Sequence, residues 1–169
     1  MKKKLCLIII SLLALGVLSA CQDEKKQTIP EGFYPYEKSE VKSVVQELSF
    51  QPELPGFIPM KVEILVSDKY VVEDSNMEAL DISFYTRNND LLSIQFYDGI
   101  RKQQTVDPEK VNISENIEGK YMDNSFAKTL TWIKSGITYQ MTFRPSSTNT
   151  NQQAASVTKS DLIKVAQSF

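Results

Sequence analysis

The stretch that decides the fold is ALDISFYTRNNDLLSIQFY, residues 79–97, in which apolar and polar side chains alternate twice. In the first run every second residue from Leu80 to Phe84 is apolar, and the same holds from Leu92 to Phe96 in the second run. A period of two is typical of a strand with one buried face. The turn residues RNND, 87–90, join the two runs, so the stretch predicts a β-hairpin.

The same pattern recurs on both sides of this hairpin. AKTLTWI (127–133) and ITYQMTF (137–143) flank the turn residues KSG and predict a second hairpin. KVEILV (61–66) alternates, and VNISENI (111–117) is a weaker strand, to which GKYMD (119–123) either belongs or adds a following element. Sequential hairpins require antiparallel pairing, so the sequence predicts one antiparallel sheet of five or six strands.

Two short helices are predicted outside the strands. SEVKSVVQEL (39–48) places valines and a leucine on one helical face, with Ser39 as a candidate cap, and Thr158 with Asp161 approximates a capping box before the C-terminal helix. Between the first helix and the strands, FQPELPGFIP (50–59) holds too many prolines for a helix and predicts an extended rim. The expected fold class is α+β, with a curved antiparallel sheet and both helices packed on its apolar face.

The N-terminus carries the signature of a targeting segment. Lys2, Lys3 and Lys4 precede an apolar run over residues 5–18. A helix of that length rises roughly 21 Å, which is short of the ~30 Å hydrocarbon core of a bilayer. The run therefore predicts a signal peptide rather than a permanent membrane span.

Residues 18–21 read LSAC, an apolar residue, two small residues and a cysteine. This tetrapeptide resembles the lipobox of bacterial lipoproteins at all four positions. The resemblance implies cleavage between Ala20 and Cys21 and a diacylglycerol on the Cys21 thiol. The expected organisation is a cleaved signal peptide over residues 1–20, a lipidated flexible tether over 21–37 and a single α+β domain over 38–169. Cys6, the other cysteine, would leave with the signal peptide.

Composition limits the chemistry that the chain can perform. The chain has no histidine, which removes the commonest general base and metal ligand, and neither a metal nor a cofactor is expected. Without residues 1–20 the net charge is −5, so no electrostatic footprint for nucleic acid is present. Turn and strand aspartates are more often structural than catalytic. Asn112 begins a glycosylation sequon, and we interpret this match as accidental. The expectation is that the protein is not an enzyme.

FQPELPGFIP, WIKSGITYQM and DLIKVAQSF together resemble a domain of unknown function, over roughly residues 45–169. That domain occurs in lipoproteins and in membrane-anchored, anti-sigma-like proteins of Gram-positive bacteria. The residues that carry the resemblance are Trp132, Gly136 and Tyr139 in the second hairpin and Ser168 near the C-terminus. The resemblance implies no known reaction.

The polar face of the predicted sheet is the candidate surface for a ligand or partner. Alternation gives it the following side chains: Tyr85, Tyr97, Gln95 and Gln140, with Ser93 and Thr138. Tyrosine and amide side chains are suited to recognition, although they also occur on any solvated sheet.

The leading hypothesis is a non-enzymatic lipoprotein on the extracytoplasmic side of the cell membrane, which binds or senses an unidentified envelope protein or ligand. An alternative is a carrier or sensor of lipid or another hydrophobic ligand. It would need a solvent-accessible cavity in the curved sheet, lined by Ile82, Phe84, Ile94, Phe96 and Trp132. A remote alternative is a hydrolase that uses two carboxylates alone, which would lie about 5–10 Å apart in a cleft.

Overall fold

The computed structural model describes residues 28–101, 107–146 and 157–169. In chain order its elements are helix α1 (Lys38–Gln46), strands β1 (Ile64–Val72), β2 (Met77–Tyr85), β3 (Leu91–Tyr97), β4 (Glu109–Ser114), β5 (Ile117–Asp123), β6 (Lys128–Lys134) and β7 (Ile137–Arg144), and helix α2 (Lys159–Ala166). The predicted signal peptide with Ala20 and the predicted lipidation site Cys21 lie outside the described residues.

The strands form one antiparallel sheet with the order β1-β2-β3-β7-β6-β5-β4. It consists of two meanders, β1 to β3 and β4 to β7, which join where β3 pairs with β7. Both predicted hairpins are present, with Ile82 opposite Ile94 in the first and Leu130 opposite Met141 in the second. The two-residue turn of the second hairpin has positive φ at Ser135 (53°) and Gly136 (80°), as type I′ turns require.

The sheet has seven strands, where the sequence predicts five or six. The difference arises at residues 109–123, where the sequence leaves open whether GKYMD continues the preceding strand. The chain reverses after Ser114, and β5 returns antiparallel to β4 and pairs on its other side with β6. Glycine and lysine in β5 weaken the alternation that would identify it as a separate strand.

One face of the sheet, here called the inner face, carries the hydrophobic core. Its buried side chains come from six strands, from β2 at Leu80 to β4 at Ile113. Trp132 lies at its centre, stacked on Tyr139 with a centroid distance of 5.1 Å and contacted edge-on by Phe169 at 5.2 Å. Aromatic pairs in these geometries add to the stabilisation from buried area.

The helices cover less of the inner face than the sequence predicts. Helix α1 packs against the edge strand β1 and buries Val41, whereas α2 packs against β4 and β6 at the other end of the sheet. The proline-rich segment 50–59, expected as a rim, covers the middle and buries Phe50, Phe57 and Ile58. Prolines keep this segment extended, so it lies across the strands and supplies side chains that a short helix could not deliver over the same distance.

The helix starts follow the sequence in one case and not in the other. The capping box at α2 is confirmed, because Thr158 and Asp161 bond reciprocally. At α1 the N-cap is Glu37, one of whose carboxylate oxygens accepts from the amide and hydroxyl of Ser39. Ser39, the predicted cap, is therefore a donor to the cap.

Aromatic residues assigned by sequence to the tether pack on the domain. Phe33 contacts Phe57 edge-on at 5.0 Å, and Tyr36 contacts Phe84 at 5.1 Å. The Tyr36 hydroxyl donates to the Pro55 carbonyl at 3.0 Å, and Tyr34 forms a β-bridge with Ile58. The chain is thus part of the domain several residues before α1. Across the described ranges, no helix is long and apolar enough to cross a membrane.

Candidate functional site

The outer face of the sheet, opposite the core, is built by the polar half of each alternating strand. Register brings together the polar positions of three central strands, since Asp81 lies opposite Gln95 and Gln95 lies opposite Gln140. The predicted pair Gln95 and Gln140 therefore occupies neighbouring positions on one face. Both side chains are half-buried.

Tyr85 shares the outer face with these glutamines but lies away from them. It is opposite Leu91 on β3 and Ile64 on β1, at the end of β2 that precedes the hairpin turn. The four-residue separation from Asp81 along the strand corresponds to about 13 Å. Tyr85 is half-buried and contributes to a separate, partly apolar corner of the outer face.

Tyr97 is buried, not exposed as the sequence predicts, with 1% of its surface accessible. The segment 98–101 folds back over the end of β3, and the Arg101 guanidinium lies 4.4 Å from the centre of the Tyr97 ring. Thr138, also 1% exposed, fixes this segment, because its hydroxyl donates to the Gly99 carbonyl at 2.6 Å and accepts from the Arg101 amide at 3.0 Å. Strand alternation cannot reveal a cover supplied by the following loop.

Tyr97 nevertheless belongs to the site, because it positions Gln95. Its hydroxyl donates to the Gln95 side-chain oxygen at 2.9 Å and receives a long hydrogen bond of 3.4 Å from Tyr70 on β1. Burial, followed by the hydrogen bond to Tyr97, raises the pKa of the Tyr70 phenol above its ordinary value, so the phenol stays neutral. The arrangement holds the Gln95 side-chain oxygen against the buried Tyr97 hydroxyl.

Asp81 is the centre of a second polar cluster. Its contacts with serine were not predicted from the sequence. One carboxylate oxygen accepts from the Ser83 hydroxyl at 2.7 Å and the other from the Ser93 hydroxyl at 2.8 Å. Ser93 is buried, and this bond satisfies its hydroxyl donor. Directly opposite Asp81 on the edge strand is Asp68, a second carboxylate on the same face.

The sequence contains a partial signal for this cluster. Ser83 and Ser93 lie opposite each other in the hairpin that the alternation predicts, and Asp81 precedes Ser83 by two residues on the same face. What the sequence does not give is the pairing with β1, which brings Asp68 beside them. That contact depends on the register of a third strand.

The described residues form two concave regions, of which the first lies on the outer face. A cavity of about 170 Å³ lies over β5 to β7 and is lined by charged and hydroxyl side chains that include Arg101, Glu118, Lys120 and Thr138. A cleft of about 430 Å³ lies beside the turn of the first hairpin, between residues 32–34, 59–63 and 86–90. Within the described residues, no group of three acidic, cysteine or histidine side chains is placed to hold a metal ion.

The inner face offers a different environment. The five side chains that a lipid-binding cavity would need, Ile82, Phe84, Ile94, Phe96 and Trp132, have at most 2% of their surface exposed and belong to one packed cluster. Phe84 and Phe96 are additionally in ring contact with Tyr36 and Tyr139. These side chains are packed against one another and against their neighbours in the protein's own core.

Comparisons of the chain with protein-family profiles, with curated proteins and with solved structures find no match. The resemblances to bacterial lipoproteins and to the domain of unknown function therefore remain predictions from the sequence.

Proposed function

We propose that the protein is a non-enzymatic lipoprotein, held on the extracytoplasmic side of the cell membrane by a diacylglycerol on Cys21, that binds or senses an envelope component through the outer face of its sheet. The observation that carries the proposal is LSAC at residues 18–21, after a basic start and an apolar run too short to span a bilayer. Each buried acyl methylene contributes about 0.8 kcal/mol, so two acyl chains retain a protein stably where one does not.

The outer face supports the binding half of the proposal. It presents the half-buried amides of Gln95 and Gln140 at paired positions on neighbouring strands, and the Gln95 oxygen is fixed by the buried Tyr97. Preorganised polar groups lose little conformational freedom on binding, which favours recognition. The filled inner face supports an outer-face binder over the lipid carrier, because the side chains that would line a carrier's cavity are packed against one another.

The non-enzymatic reading is supported by the residue types available. The chain has no histidine, and lipidation would use the only cysteine outside the predicted signal peptide. Asp81 is engaged by two serine hydroxyls, an arrangement that a structural carboxylate shares. The carboxylate opposite it, Asp68, is exposed on an edge strand rather than enclosed in a cleft.

The anchor is tested by feeding producing cells an alkyne-tagged fatty acid and extracting their membranes with alkaline carbonate. We expect the wild-type chain and a Cys6→Ser control to carry the tag and to stay in the membrane pellet. Cys21→Ser should lose the tag and leave the pellet. Equal labelling of Cys21→Ser, or equal retention after the wash, would refute the anchor.

Binding by the outer face is tested in the same cells with the anchored chain. A photo-crosslinking residue replaces Tyr85 on the outer face or, as a matched control, the exposed Ser43 on helix α1. The proposal expects a discrete crosslinked species from position 85 that Gln95→Ala combined with Gln140→Ala weakens. Identical crosslinking patterns from positions 85 and 43 would contradict it.

A further inference from the structure

The two edges of the sheet differ in how they are protected. Strand β4 is six residues long, its pairing is interrupted by an irregularity between Asn112 and Ser114, and its exposed side chains are polar or charged. Such features prevent an edge from pairing with another strand. Strand β1 is nine residues long, pairs without interruption and exposes Ile64 (58%), Val66 (49%) and Val71 (54%). Of the two edges, β1 is the longer, the more regular and the more apolar.

The backbone groups that β1 directs away from the sheet follow from the ladder. In an antiparallel strand, consecutive residues point their backbone N–H and C=O to opposite sides. The Asp98 amide donates to the Glu78 carbonyl, so the even-numbered residues of β2 face β3 and the odd-numbered ones face β1. Register then assigns the even-numbered residues of β1 to the ladder with β2. The backbone N–H and C=O groups that point away from β2 are therefore those of Leu65, Ser67, Lys69 and Val71. An added strand would form its hydrogen bonds with these groups.

The charge beside this edge specifies the chemistry of the partner. Asp68 and Asp81 lie directly opposite each other on the outer face, where like charges are destabilising. The Asp81 carboxylate accepts from two serine hydroxyls, whereas the Asp68 side chain has no hydrogen bond or ion pair within the described residues. A cationic side chain on an incoming strand would relieve this repulsion. Lys69 points to the other face and is drawn toward the Glu47 carboxylate at 3.7 Å, so β1 presents no cation of its own beside Asp68 on the outer face.

We propose that the β1 edge binds an extended basic segment of a partner protein, which adds an eighth strand to the sheet. Its backbone pairs with the outward groups at Leu65, Ser67, Lys69 and Val71. On the outer face, branched apolar side chains contact Ile64 and Val66, and a lysine or arginine lies beside Asp68. Strand addition of this kind takes its affinity from the backbone and its specificity from alternate side chains.

A second copy of this chain does not supply that chemistry. A two-fold axis that pairs β1 antiparallel with itself keeps the outer faces on the same side, so Asp68 meets only outer-face residues of the other copy. These are Ile64, Val66, Asp68, Tyr70 and Val72, and none is basic. The central register would place two Asp68 carboxylates opposite each other.

The probe is a seven-residue peptide that alternates threonine with, in order, lysine, valine and valine, and a counterpart with glutamate for lysine. NMR titration of the full-length chain in detergent should protect the amides of Leu65, Ser67 and Lys69 from exchange, because the peptide spans these residues when its lysine lies beside Asp68. The lysine peptide should bind at least tenfold more tightly than the glutamate peptide, and Asp68→Lys should reverse that order.

Ser67→Pro removes an outward donor without touching the ladder to β2, and should abolish peptide binding. The matched control is Lys110→Pro on β4. The Asn124 amide donates to the Ala127 carbonyl, so the even-numbered residues of β5 bond to β6 and the odd-numbered ones bond to β4. By the same alternation, the Lys110 amide of β4 points away from β5. Thermal unfolding checks that both variants fold, and if Ser67→Pro does not, the Asp68→Lys reversal still decides.

Three results would overturn the proposal. They are protection elsewhere than on β1, equal affinity for the two peptides, and concentration-dependent dimers that Ser67→Pro abolishes, because the last would assign the edge to a second copy. None of these results bears on fatty-acid labelling of Cys21 or on crosslinking from position 85, so the inference fails or stands apart from the proposed function.

Discussion

The two faces of the sheet are made by the same strands but are stabilised by different interactions. The inner face closes on itself, with Trp132 stacked on Tyr139 and sealed by Phe169. The outer face satisfies its polar groups locally, as Asp81 does with two serines and Tyr97 does with Gln95. Stability therefore depends mainly on the inner face, and less on the outer face.

The largest expected effect is on the inner face. Trp132→Ala should lower the free energy of unfolding by about 3–5 kcal/mol, because it removes a large buried aromatic and leaves a cavity. The next residue, Ile133, points to the outer face and is 43% exposed. Ile133→Ala should change stability by no more than about 0.5 kcal/mol. Urea denaturation measures both, and comparable losses would remove the distinction between the faces.

The second effect tests how closely the inner face is packed around the tryptophan. Gly119 lies opposite Trp132, and a Cβ there would meet Ile113 Cδ1 at 3.0 Å and Leu130 Cδ1 at 3.1 Å. Gly119→Ala should therefore cost about 1–3 kcal/mol through overpacking. Its neighbour on the outer face, Lys120, provides the control, and Lys120→Ala should be nearly neutral. A stabilising Gly119→Ala would show that the core yields at this point.

A smaller effect separates the two opposed carboxylates of the outer face. Asp81→Ala leaves the buried Ser93 hydroxyl without its acceptor and should cost about 1–2 kcal/mol. Asp68→Ala removes only the repelling charge and should be neutral or slightly stabilising. Chemical denaturation of the two variants in parallel measures the difference. A larger loss from Asp68→Ala would reverse the roles given to them.

The smallest effect is a pH dependence at the junction of α1 with the sheet. The Ser49 hydroxyl, and then its amide at 2.7 Å, hold the pKa of the Glu78 carboxyl below its ordinary value. A lowered pKa in the folded state means that the stabilisation is present above the unfolded pKa, near 4.5, and is lost as the pH falls through the folded value. Glu78→Gln should flatten this part of the stability profile. An unchanged profile between pH 5 and pH 3 would exclude the contribution.

The local pattern of the sequence predicts the hairpins because alternation and turn residues are short-range signals. Residues 79–97 and 127–143 contain both, and the structure confirms both hairpins. The order of the strands is different, because the pairing of β3 with β7 joins residues far apart in the chain through side chains that many registers could satisfy. Burial of Tyr97 was equally out of reach, since it depends on where Arg101 lies.

The candidate site follows the same division. The sequence places Gln95 and Gln140 on one face, which the register confirms. It does not place Asp68 beside Asp81, because only the alternation of residues 61–66 predicts the strand, whereas β1 extends to Val72. Residues whose role depends on a neighbour in a distant strand are those that the sequence leaves undetermined.

The central claim is that the domain is attached to the outer leaflet through Cys21. This attachment would place the outer face and the β1 edge on the extracytoplasmic side of the membrane. Intact-mass measurement of the chain purified from its native producer tests it most directly. The account predicts a mature chain that begins at Cys21 and carries the mass of a diacylglyceryl group, with or without a further acyl chain. A chain that retains Met1, or one that begins at Cys21 with a bare thiol, would contradict it.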